Sequence, residues 1–85
     1  MVSSKTVLET IDRLVAERGE KRNGIYRLTI TTHELMDEFG LKPSIPHHRY
    51  IKGIVEMHYH GTRSETIGKG DGSQGFTLYI KIWSK

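Results

Sequence analysis

The feature that most constrains how this chain folds is the stretch 31–61, TTHELMDEFGLKPSIPHHRYIKGIVEMHYHG. Residues 31–34 fit a capping box, which predicts a short helix from about Thr32 to Phe39. Gly40 follows the last apolar residue of that helix and is expected to end it. A second helix with spaced aliphatic residues then follows within a few residues. The stretch therefore predicts two helices joined by a tight turn.

The start of the second helix is marked by its own signals. Pro43 prevents the first helix from continuing. Ser44 is a suitable cap for the second helix, and Pro46 is tolerated in its first turn. The aliphatic spacing predicts an end between Met57 and Gly61.

A helical wheel gives the second helix two faces of different character. The side expected to pack holds aliphatic residues and two histidines: His47, Ile51, Ile54, Val55 and His58. The side expected to face solvent is polar and charged: His48, Arg49, Lys52, Gly53 and Glu56. The outer side has a shape and charge that suit a groove.

The segment before this stretch predicts a helix and a strand. Apolar residues at helical spacing predict an amphipathic helix of about 14 residues that stops at Gly19. Ser3-Ser4 can cap its start, and Thr6–Glu9 is an alternative capping box a turn later. Glu20–Gly24 is interpreted as a polar turn. Alternation over Tyr26–Thr31 then predicts a short strand that leads directly into the next helix.

The segment after the stretch predicts a hairpin. Residues Arg63–Gly68 are a candidate strand, and Lys69–Gly75 holds three glycines in seven residues, as a flexible hairpin tip does. Phe76–Trp83 alternates apolar and polar residues and is the clearest strand in the chain.

Charge is distributed unevenly along the 85 residues, whose formal net charge is +3. Residues 1–41 hold six Lys/Arg against seven Asp/Glu, whereas residues 42–85 hold seven against three. A polyanion is the natural partner of such a basic half. The absence of cysteine excludes disulfides and zinc–thiolate sites. Without an apolar run of membrane length or a signal-peptide core, a cytoplasmic location is expected.

The order of helix, strand, helix, helix, strand, strand, with a glycine-rich hairpin at the end, resembles the winged-helix family of DNA-binding domains. The resemblance implies an α+β fold in one domain over residues 1–85, with a three-helix core, a small antiparallel sheet and a β-hairpin wing. It implies a small stand-alone regulator of transcription, of the viral or prokaryotic kind. Helix three (about 44–58) would enter the major groove of double-stranded DNA, and the wing (about 63–80) would contact an adjacent groove or the phosphate backbone.

The candidate DNA-binding residues lie on helix three, its preceding turn and the wing. Arg49 can hold guanine O6 and N7, and Lys52 can contact guanine or phosphate. Imidazole can contact a base edge, and a helix N-terminus can bind phosphate. The full set is Lys42, Ser44, His47, His48, Arg49, Lys52, Arg63, Lys69, Ser73 and Gln74.

Two other partners remain open from the sequence. An acidic face on the first two helices (Glu17, Glu20, Asp37, Glu38) is compatible with a winged-helix module that binds polymerase or another regulator. RNA binding is less favoured, because the sequence lacks the motif of an aromatic sheet platform. A homodimer is expected to form through helix one or the last strand, where Tyr79 and Trp83 face away from the apolar stripe.

Catalysis and metal binding have little support in the sequence. No nucleophile pairs with a base at a recognisable spacing, and GKGDGSQG does not stand between a strand and a helix as a phosphate loop does. The five histidines include His58-x-His60 but no HExxH motif. We expect no enzyme activity, metal, cofactor or small-molecule substrate, although histidines can respond to pH near 6.5.

Overall fold

The computed structural model describes residues 2–68, 70 and 73–83, and it shows a mixed α+β fold. Within these residues, three helices accompany a four-stranded antiparallel sheet with strand order β1-β2-β4-β3. The elements are α1 (Ser4–Arg18), β1 (Glu20–Arg22), β2 (Ile25–Thr31), α2 (Thr32–Phe39), α3 (Ile45–His58), β3 (Arg63–Thr66) and β4 (Phe76–Trp83). The predicted α+β class is confirmed.

All three helices begin at the residues that the sequence predicts. Ser3 Oγ accepts the Thr6 N–H at the start of α1. Thr31 and Glu34 form the predicted capping box of α2, with both bonds at 3.0 Å. Ser44 caps α3. These caps satisfy N–H groups that have no partner within a helix, so they fix where each helix starts.

One strand was not predicted. The interpretation of Glu20–Gly24 as a turn is wrong for its first three residues, which form β1 and pair with β2. Asn23 and Gly24 both have positive φ, 50° and 78°, and make the two-residue loop between the strands. Asn-Gly is strongly favoured in such loops because both positions require positive φ. The described chain therefore has seven elements in the order α-β-β-α-α-β-β.

The core lies between the helices and one face of the sheet. The predicted alternation of β4 is confirmed, since Phe76, Leu78 and Ile80 are buried. β2 runs antiparallel beside β4, with Leu28 opposite Ile80. The helices complete the core with Val7, Ile11, Leu14, Val15, Leu35, Met36, Ile51 and Val55. This packing holds α3 against the sheet and leaves its other side exposed.

The helical wheel of α3 was wrong at two positions. α3 buries His48 with Ile51 and Val55, whereas His58 is exposed. The buried stripe therefore lies on the flank of the helix that carries His48 rather than His47. Nδ1 of the buried imidazole lies within hydrogen-bond distance of a hydroxyl group on α2, whereas Nε2 has no hydrogen-bond partner among the described residues.

Candidate nucleic-acid interface

The exposed side of α3 carries one cation that is not ion-paired within the described residues. Arg49 is exposed and makes no ion pair with any residue that the structure describes. Gly53 and Met57 continue the same side at helical spacing, and Met57 is 70% exposed. Ile45, at the start of the helix, is 37% exposed. This surface combines the guanidinium of Arg49 with the apolar side chains of Ile45 and Met57 and with backbone that is uncovered at Gly53.

Lys52 is engaged in contacts within the protein. Its Nζ donates to Glu56 Oε1 at 2.9 Å and lies 5.2 Å from the ring centroid of Phe76. Ser64 Oγ donates to the other Glu56 oxygen at 3.0 Å. The hydrogen bond from Lys52 is the main cause that lowers the pKa of Glu56. These contacts join α3 to β3 and β4, so Lys52 fixes the hairpin against the helix.

His48 does not face solvent, which corrects its assignment as a DNA contact. The side chain is fully buried, and its Nδ1 lies 2.8 Å from Thr32 Oγ1. Thr32 Oγ1 also accepts the Phe76 N–H at 2.9 Å. Burial is the main cause that lowers the pKa of His48, and the nearby His33 and His47 lower it further. His48 therefore connects α2, α3 and β4 as a structural group.

Gly75 fits closely against this buried pair. Its φ is +91°, and a Cβ built there would lie 2.6 Å from Thr32 Oγ1 and 2.8 Å from the His48 ring. Contacts below 3 Å cannot be kept without a shift of the neighbouring atoms. A glycine at this position allows β4 to enter the sheet directly beside α2 and α3.

Three candidate residues do meet at the start of α3. Ser44 Oγ accepts the His47 N–H at 3.2 Å. His47 Nδ1 lies 2.9 Å from the Lys42 carbonyl oxygen and donates to it in the tautomer with hydrogen on Nδ1. Lys42 itself is exposed. The turn before α3 is thus ordered by its own side chains, with a lysine at its surface.

The predicted wing residues lie in different parts of the structure. Arg63 is ion-paired with Glu65, and its guanidinium carbon lies 4.4 Å from the Tyr79 ring centroid. That position is on the sheet face away from the helices, so Arg63 is not brought together with Arg49. Ser73 and Gln74 are exposed between β3 and β4. Lys69 lies outside the described residues.

The sheet face away from the helices brings together basic residues whose grouping the sequence did not predict. Arg27 on β2 stands directly opposite Lys81 on β4. Together with Arg63 and Tyr79 they line a shallow depression of about 340 Å³. The alternation of β2 and β4 predicts which residues leave the core, but the strand register was needed to bring them together.

No helix among the described residues is long and apolar enough to cross a membrane. In the same part of the chain, no three His, Asp or Glu side chains are grouped as ligands of a metal ion. Comparisons of the chain with protein-family models, curated proteins and solved structures give no match. Its function is therefore inferred from its fold and surface.

Proposed function

We propose that the chain is a winged-helix protein that binds double-stranded DNA and regulates transcription. In this proposal α3 lies in the major groove, and the β3–β4 hairpin contacts an adjacent groove or the backbone. The observation that carries it is the exposed side of α3, where Arg49 and Gly53 stand on a helix that follows α2 after a short turn.

Arg49 is the residue assigned to base recognition. A guanidinium can donate two hydrogen bonds to O6 and N7 of guanine, the most common specific contact in the major groove. Arg49 has no ion pair among the described residues, so no internal bond would have to break before it contacts a base. The exposed Met57 and Ile45 offer apolar contact to a thymine methyl group.

Gly53 supports a close contact at the same side of the helix. Glycine in a helix interior costs about 1 kcal/mol relative to alanine. A Cβ at Gly53 would meet nothing within 4 Å, so packing within the described chain does not require a glycine there. A partner that approaches the bare backbone of α3 would explain the residue.

The start of α3 is assigned to the phosphate backbone. The helix dipole favours an anion at a helix N-terminus, and in α3 this field acts with few free N–H groups, because the His47 N–H is bonded to Ser44 Oγ and Pro46 has none. Lys42 is exposed in the turn before it and adds a positive charge. Because Lys52 is paired with Glu56, the α3 side offers few cations to the DNA backbone, and we expect a salt slope of only about −2 to −4.

Selection of bound sites from a random duplex pool tests this proposal. The expected result is enrichment of one short motif that contains guanine, bound with the shallow salt slope given above. A two-fold symmetric motif would indicate the proposed homodimer, because one dimer reads two half-sites. A pool that remains random after repeated selection at about 50 mM salt would contradict DNA recognition.

A second candidate function is supported by the apolar groups on α3. Met57 and Ile45 are the exposed large hydrophobic residues of this helix, and they flank a single arginine. Such a surface also fits a protein partner, such as polymerase or another regulator. A chain that shows no duplex binding at about 50 mM salt, but loses a protein partner on Met57→Glu, would favour this function.

A further inference from the structure

The sheet face away from the helices, which we call the open face, lies apart from the α3 surface assigned to duplex DNA and includes the last strand, one of the two expected homodimer contacts. Three cross-strand pairs of β2 and β4 present side chains on it: Thr29 with Tyr79, Arg27 with Lys81, and Ile25 with Trp83. On the other side of β4, Arg63 of β3 stands opposite Tyr79. Cations and aromatic rings therefore share one partly exposed surface, with the Glu65 carboxylate paired to Arg63 at its edge.

Arg27 and Lys81 form a like-charge pair across β2 and β4, and neither is ion-paired within the described residues. Like charges directly opposite on an antiparallel sheet destabilise it. Neither side chain forms an ion pair with a carboxylate that the structure describes, although Glu20 stands opposite Arg27 on β1. An anion bound between Arg27 and Lys81 would relieve the repulsion.

Aromatic side chains stand on both sides of this pair along β4. Tyr79, Lys81 and Trp83 point to the same face, with successive positions about 7 Å apart. Trp83 is 63% exposed, and the Arg63 guanidinium is stacked on Tyr79. The row presents a stacking surface, a cation and a second stacking surface in succession.

We propose that the open face binds single-stranded nucleic acid, independently of the duplex site on α3. Phosphate groups would lie at Arg27 and Lys81, while bases would stack on Trp83 and on the Arg63–Tyr79 pair. Positive grooves with aromatic platforms bind single strands in this way, and stacking tolerates any base. A purely acidic peptide such as polyglutamate would satisfy the cations but has no ring to place on Trp83, and a duplex keeps its base faces covered.

Trp83 makes this proposal directly measurable, because it is the one tryptophan of the sequence. The experiment titrates the chain with a 12-nucleotide oligothymidylate at about 50 mM salt and follows tryptophan fluorescence. We expect saturable quenching. The double variant Arg27→Ala/Lys81→Ala should bind at least tenfold more weakly, whereas Lys5→Ala, which removes an exposed cation from α1, should bind as the unchanged chain does.

A second variant separates stacking from charge attraction. Trp83→Leu, measured by the anisotropy of an end-labelled oligothymidylate, should lose several-fold in affinity with all cations retained. Arg49→Ala should leave single-strand binding unchanged, so failure of the duplex proposal and failure of this one are distinguishable. Circular dichroism of each variant confirms that it is folded.

Four results would overturn the proposal. The first is the absence of quenching up to about 100 µM oligothymidylate, and the second is binding of polyglutamate as tight as that of oligothymidylate. The third is an equal loss of oligothymidylate affinity in Lys5→Ala and in the double variant. The fourth is an unchanged oligothymidylate affinity in Trp83→Leu. Quenching that follows chain concentration without any oligonucleotide would show instead that a second copy covers the open face.

Discussion

Gly75→Ala tests the buried junction that joins the hairpin to the helices. The alanine Cβ would lie 2.6 Å from Thr32 Oγ1 and 2.8 Å from the His48 ring, at a φ of +91°. Positive-φ strain costs about 1–3 kcal/mol, and overpacking costs about 1–3 kcal/mol more. The expected loss of about 4 kcal/mol is large beside the total stability of about 4–13 kcal/mol for a chain of this size.

The assay is urea unfolding followed by far-UV circular dichroism. With a slope near 1 kcal/mol per molar urea, the midpoint of Gly75→Ala should fall by about 3–4 M or the variant should be unfolded in water. Gly40→Ala is the matched control, because Gly40 has a φ of +68° but a Cβ there would meet nothing within 4 Å. We expect the control to lose only its positive-φ strain, about 1–2 kcal/mol.

The difference between the two variants measures the steric part of the effect. A double variant Gly75→Ala/His48→Ala should lose less than the sum of the single losses, since removing the imidazole makes room for the new methyl group. If Gly75→Ala and Gly40→Ala had the same midpoint, the close fit of Gly75 against α2 and α3 would be refuted.

Three further predictions follow from particular side chains. Burial lowers the pKa of His48, so the unfolded chain binds a proton at this imidazole more readily than the folded chain does. The stability from His48 should be full above about pH 7 and fall as the pH drops below 6.5. The urea midpoints at pH 7.5 and pH 5.5 should therefore differ less in His48→Gln than in the unchanged chain. Gly53→Ala should raise the free energy of unfolding by about 0.5–1 kcal/mol in a thermal melt and yet weaken binding to a selected duplex. A stabilised variant with unchanged duplex affinity would contradict a close approach of DNA to the α3 backbone at Gly53. Arg27→Thr should raise stability by about 0.2–1 kcal/mol by ending the repulsion with Lys81, whereas an unchanged or lower melting temperature would show that the pair is not repulsive.

Features set by neighbouring residues could be predicted from the sequence. The caps at Ser3, Thr31 and Ser44 depend on residues two or three positions away, and the period of two in β4 fixes its buried face. The Asn23-Gly24 loop also depends on neighbouring residues, because Asn-Gly itself favours a two-residue hairpin loop, but the whole segment Glu20–Gly24 was interpreted as a polar turn. The ion pair of Lys52 with Glu56 also has the i, i+4 spacing that a sequence displays.

Features set by distant residues could not be predicted in this way. His48 is buried with its Nδ1 beside the hydroxyl group of Thr32, sixteen residues earlier, and a helical wheel of α3 alone does not show a hydrogen-bond partner on another helix. Arg27 and Lys81 meet only through the pairing of β2 with β4. On α3 the buried His48 is therefore corrected as a base contact, while Arg49 stays exposed and Lys52 is ion-paired with Glu56.

The most direct test of the account is the affinity of Arg49→Ala for a duplex selected by the unchanged chain, measured beside Lys5→Ala at the same salt concentration. Both variants lose one positive charge from an exposed helical position. If Arg49 reads a base, its loss should weaken binding by about 1–3 kcal/mol, roughly 5- to 150-fold, while Lys5→Ala binds as before. Equal affinities of the two variants would contradict a role for the exposed side of α3 in DNA recognition.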